Sequence, residues 1–240
     1  MLNNLKKLLV ADIKRLKKYN IIQISIVLAF LYALIIYFTS KEEAESLILM
    51  LIFMDISMMS MIMLGASLFF EKQEGSLKSV MVAPVNFIEI LLSKLLSTLF
   101  LNFLTAVIII STAVLAHGAQ VNIALLLLYA CLGAAVHISL GFILVMISKD
   151  FNTMLFHYMI YVIVFTLPSF LLMANIIPSS IEFILFLSPS YSAQILLQTS
   201  LGVMPNLVQH IFSIFYSVAI IVCTYQFYIK KKFKEYVMRG

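Results

Sequence analysis

Few side chains in this 240-residue chain could do chemistry. Asp55 falls inside a long apolar run, about 12 Å from its start at roughly 1.5 Å per residue. A carboxylate at that depth is costly unless it faces a cavity, a partner or the interior of a helical bundle. It could touch a substrate or cation on a pathway, or be a neutral acid hydrogen-bonded to a neighbouring helix. His137 and His157 lie in two later apolar runs, where each could partner Asp55 or be a satisfied packing histidine. Met50, Met54, Met58 and Met61 form a stripe beside Asp55, with adaptable thioethers that could line a route for apolar substrates or simply pack. Cys131 and Cys223 both sit in apolar segments, as buried thiols rather than a disulfide or metal site. There is no H-E-x-x-H, no G-x-S-x-G and no Gly-Lys pair that could end a phosphate-binding loop, so no enzyme active site or ATP site is expected in this chain.

The elements that must position these residues follow from composition. Hydrophobic residues make up 63% of the chain and charged residues 11%, against about 25% charged in soluble domains. The expected fold is an all-α polytopic membrane protein. A β-barrel is disfavoured because the apolar runs are continuous and do not alternate. Spans are expected at about 21–38, 47–70, 90–116, 122–147, 153–174 and 207–228, six in all. A polar segment, 39–46, separates the first two and carries Glu42, Glu43 and Glu45. Pro168 should kink the fifth. Residues 175–205 are apolar but divided by Pro178, Pro189 and Pro205 into pieces too short to cross. They read as an extracytoplasmic re-entrant or interfacial region, whose broken backbone needs protein or water around it.

Charge sets the orientation. With both termini inside, every lysine and arginine except Lys41 lies on the cytoplasmic side, Arg239 included. The net charge of +5 is thereby explained by membrane headgroups and not by nucleic acid. Residues 1–19 form a basic amphipathic helix at the interface, with Leu5, Leu8, Leu9, Ile13 and Leu16 recurring between lysines. The stretch Glu71–Lys94 also faces the cytoplasm. Leu77, Val80, Met81, Pro84 and Val85 lie on one face of a helical wheel, and Glu74 and Lys78 sit four apart in the favourable order for an ion pair. Pro84 should end the short helix. Glu89 and Lys94 flank the start of the third span, where they could pair with interfacial charges, or Lys94 could reach up to the headgroups. Gly133, Ala134, Ala135, His137 and Gly141 supply a small-residue face for close helix packing.

The stretch Glu71–Lys94 resembles the cytoplasmic signature of the ABC type-2 permease family. The matching positions are Glu71, Gly75, Ser76, Leu77, Ala83, Pro84, Val85, Glu89, Ile90, Leu91 and Lys94. Departures are Gln73 where an acid is common, Ser76 for threonine, Lys78 for glutamate and Ser93 for glycine. The resemblance implies a single permease domain over 1–240, with an interfacial helix at 1–19, a coupling helix at 71–86 and the re-entrant region at 175–205. It implies an ATPase-coupling surface of Glu71, Glu74, Gly75, Ser76, Leu77, Lys78, Val80, Met81, Ala83 and Pro84. The partners implied are a separate ABC ATPase subunit carrying ATP and Mg, and a second permease chain, identical or paralogous, in a bacterial cell membrane. The implied activity is export of a lipid-like, peptide or drug-like substrate, with Asp55, Met54, Met58 and His137 as candidate pathway residues. The alternatives are a proton-coupled secondary transporter and a non-transporting immunity or scaffold protein.

Overall fold

The computed structural model describes residues 2–202 and 206–238, so Pro205 and Arg239 lie outside the described residues. Every regular element among them is helical. Five helices are long and apolar enough to cross a membrane, and a bent pair at the N-terminus supplies a sixth candidate.

That pair is α1, Leu2–Lys18, and α2, Ile21–Tyr37, whose axes meet at 71°. Asn20, at φ 60°, takes the left-handed conformation that turns the corner, a conformation asparagine tolerates better than most residues. On α2, Ser25, Ala29, Ala33 and Ile36 are buried along the long helix Phe87–His117. The small side chains of Ser25, Ala29 and Ala33 permit close helix approach, while Phe30 and Leu34 on the other face are exposed. At 17 residues α2 spans about 25 Å.

The second span, α3, runs from Lys41 to Gln73. The segment expected as a polar connection is therefore mostly helix. Ser40 caps it, its hydroxyl accepting from Glu43 N–H at 3.3 Å, and Glu42 and Glu43 in the first turn suit the positive end of the helix dipole. A π turn, Asp55–Met59, interrupts α3 at the intramembrane acid.

After α3 come the six-residue α4, Ser76–Met81, then α5, Phe87–His117, and α6, Ile123–Ile147. Asn86 and Glu89 form a reciprocal capping box at the start of α5. α6 lies at the centre, against α3, α5 and the later helices Pro189–Gln198 and Leu207–Met238. The small-residue face expected there is what admits the neighbours. A Cβ on Gly141 would come within 3.3 Å of the Met61 backbone, and one on Gly133 within 2.7 Å of Ile56.

α7, Phe151–Met173, contains Pro168. Directly before it the helix widens into a π turn, Val162–Thr166, which makes room where the proline ring would crowd the previous turn. The Phe165 carbonyl there accepts from Ser169 and Ser188 hydroxyls at 2.8 and 3.0 Å. The chain then folds back as α8, Glu182–Leu185, and α9, Pro189–Gln198, both too short to cross. α9 is buried from Pro189 to Leu197 against α6 and α10, so its polar sequence is enclosed by protein. α10, Leu207–Met238, does not stop at Lys230 as the charge run suggests. Phe233, Tyr236 and Val237 continue its buried face while Lys230, Lys231, Lys232 and Lys234 stay exposed.

Candidate functional site

The basic end of the bundle gathers α1, the end of α3, α4 and the start of α5. α3 ends because Gly75 adopts φ 72°, with Glu74 N–H and Gly75 N–H closing on the Phe70 and Lys72 carbonyls at 3.0 and 3.1 Å. This is the left-handed exit for which glycine is suited. The helix of the coupling stretch is thus shorter than expected: Glu71 to Gln73 belong to α3, and α4 holds only Ser76–Met81. Leu77 is fully buried and anchors α4, Val80 and Met81 are half-buried, and Lys78 and Ser79 face outward. Beyond the helix, Val82 is 87% exposed, and Pro84 is exposed while Ala83 is half-buried.

Glu74 lies in the turn and not in α4. Its carboxylate takes Lys18 at 2.7 Å and the Tyr19 hydroxyl at 2.8 Å, tying α1 to the turn. The Lys18 and Tyr19 bonds hold the Glu74 carboxyl below its ordinary range. Burial, and then the Glu74 acceptor, push the Tyr19 phenol up to about 12.

Glu71 does not present to the surface. It is wholly buried in a four-charge cluster that joins α1, α3 and α5. Lys94 Nζ lies 2.5 Å from Glu71 and 2.6 Å from Asp12. Arg15 Nη1 lies 2.5 Å from Asp12 and 3.4 Å from Glu71. Ser67 donates to Glu71 at 2.9 Å and Ser93 donates to Asp12. Two acids meet two bases, so the cluster is neutral. Lys94 does not reach the headgroups, since its side chain is 3% exposed. Glu89, also buried, accepts from Asn86 N–H at 2.8 Å. Asp12 was missed by reading the sequence for basic residues. The signal was there: it falls on the apolar face of α1 between Leu8 and Leu16, where a carboxylate needs a partner.

Deeper in the bundle, Asp55 is not beside a histidine. Its Oδ2 accepts from Asn102 Nδ2 at 2.9 Å, and Asn102 Oδ1 accepts from Ser60 at 3.1 Å. His137 is fully buried on α6. Its Nδ1 lies 2.7 Å from the Gly133 carbonyl, which can only accept, so Nδ1 carries the proton and Nε2 accepts from Ser190 at 3.1 Å. Ser190 in turn meets Thr166 at 3.0 Å and Tyr161 at 3.2 Å. His157 pairs with Ser148 at 2.9 Å. Met54 and Met58 are half-buried, and Met61 packs with Tyr158 and Tyr161. An apolar cavity of about 210 Å³ lies elsewhere, between α5, α6 and α10, lined by Leu91, Leu95, Phe142, Tyr225 and Ile229 among others. Among the described residues no cluster of His, Cys, Asp and Glu could hold a metal ion.

A bundle of this kind, with its buried charges at one end and a short helix projecting there, defines a multi-pass α-helical membrane protein. The chain matches the ABC-2 type transporter family over residues 8–201 and belongs to that family. It is therefore a membrane permease subunit of an ABC transporter. No curated protein matches it closely.

Proposed function

We propose that this chain is the permease subunit of a bacterial ABC exporter, seated in the cell membrane with both termini in the cytoplasm. A separate ATPase subunit binds ATP with Mg and hydrolyses it, and the stroke drives a lipid-like, peptide or drug-like substrate outward. The observation that carries this reading is α4. It is a short helix anchored by buried Leu77, with an apolar residue left outside at Val82, at the end where the lysines gather. Gly75, Ser76, Lys78, Val80, Met81, Ala83 and Pro84 form the contact with the ATPase. Glu71 and Glu74 act behind it, tying α4 to α1 and α5. A second permease chain completes the transporter, and the exposed apolar faces of α2 and α10 are available for it and for lipid. Asp55, Met54, Met58 and His137 remain candidates for the pathway in that assembly.

The test is co-expression with candidate ATPases, followed by co-purification and transport in vesicles. Val82→Asp should abolish capture of the ATPase and ATP-driven transport. Transport by the chain alone under a pH gradient would overturn the proposal in favour of a secondary transporter.

A further inference from the structure

A cavity of about 330 Å³ opens at the basic end, lined by Lys72, Met146, Ile147, Ser148, Lys149 and Tyr236. Three helix ends and one turn build it: the last turn of α3, the end of α6, the turn into α7 and the end of α10. Among the described residues its lining carries two ammonium groups and no carboxylate. Asp150 accepts from Thr153 N–H at 2.8 Å and Glu71 pairs with Lys94 at 2.5 Å. Lys72 Nζ stands 4.5 Å from the centre of the Tyr236 ring, which fixes the ammonium over an aromatic face. The Tyr236 hydroxyl is buried with no hydrogen-bond partner among the described residues, an arrangement that costs free energy until an acceptor arrives. Ile147, at 47% exposure, gives the cavity an apolar margin on the outside of the bundle.

We infer that this cavity binds the phosphate of an anionic phospholipid from the inner leaflet. Lys72 and Lys149 supply the charge that a phosphodiester needs, and the cavity is of ligand size. Phosphate chemistry could equally come from a soluble anion. Ile147 distinguishes the two, because an apolar margin at the level of the headgroups suits a molecule whose acyl chains continue along the bundle. Occupancy would bridge α3, α6 and α10 immediately behind the turn that leads to α4. The inference does not depend on the identity of the ATPase or the substrate.

Native mass spectrometry of the purified full chain, offered phosphatidylglycerol and phosphatidylcholine in equal amounts, tests it. The wild-type chain should retain phosphatidylglycerol preferentially. Lys72→Gln with Lys149→Gln should lower that preference by about 25-fold, some fivefold for each lysine. Lys149→Glu, a change at an exposed turn that leaves the core intact, should lower it as well and covers the case in which the double variant fails to fold. Lys231→Gln with Lys234→Gln, exposed on α10 at the same end, should leave it unchanged. An equal loss in this last variant would mean general surface charge and overturn the site. Displacement of the lipid by excess inorganic phosphate would assign the cavity to a soluble anion and overturn the lipid.

Discussion

At the scale of single residues, the buried charges decide more than the intramembrane acid does. Lys94 bonds both Asp12 and Glu71, so Lys94→Met leaves two carboxylates out of water with Arg15 as their one remaining cation from the cluster. A loss of about 3–5 kcal/mol is expected, seen as a fall in the thermal unfolding midpoint of the purified chain. Combining it with Asp12→Asn and Glu71→Gln should recover part of that loss, because the stranded charges go with it. Asp55→Asn should behave differently. The amide can still bond Asn102, so a change of no more than about 1 kcal/mol is expected in the same measurement, and a larger fall would show that the carboxylate's charge is needed where it sits. The outer link between Glu74, Lys18 and Tyr19 has a pH dependence whose sign is fixed. Glu74 titrates below its usual 4.5 in the folded chain, so the link contributes above that pH and is lost as pH falls through the lowered value. Limited proteolysis after Lys18 should accelerate under acid conditions in the wild type but show no such step in Glu74→Gln.

At the scale of elements, α4 is a lever held by one buried side chain. Leu77→Asp would put a charge where a leucine is fully buried, and so would unseat α4 in the free subunit as well as in any complex. Val82 is the cleaner probe, since 87% of it is already in solvent. Val82→Asp should leave the unfolding free energy within about 0.5 kcal/mol of wild type while capture of the ATPase is lost. The amphipathic spacing of Leu77, Val80 and Met81 was legible before any coordinates, and so was the stop near Pro84. The start was not, because Glu71 to Gln73 read as the beginning of the coupling helix when they are the last turn of α3, which runs on from buried Ser67 and Leu68. Local polarity reports exposure only when partners are near in sequence. Asp12 and Lys94 are 82 residues apart, and that pairing cannot be seen from periodicity. The same reason hid the Asp55–Asn102 bond, while the small-residue face of α6 was readable because close packing needs small side chains wherever the neighbour comes from.

At the scale of the whole molecule, charge separates the two ends. Glu45 accepts from Gln120 N–H at 2.9 Å at one end, and Arg15, Lys72 and Lys149 gather at the other. With Cys131 and Cys223 replaced by alanine, Glu42→Cys should react with a membrane-impermeant maleimide in intact cells, and Val82→Cys only after the membrane is opened. The reverse pattern would invert the bundle. The order of synthesis adds a constraint of its own. Asp12 leaves the ribosome 82 residues before Lys94, which at about 5–20 residues per second is a wait of roughly 4–16 s. During that interval Arg15, one turn away and 2.5 Å from Asp12 in the finished fold, is its only partner from the cluster already made. The first helix therefore waits with Asp12 paired to Arg15 until α5 arrives to supply Lys94. A nascent chain stalled before Lys94 should leave α1 open to protease, and one stalled beyond α5 should close it.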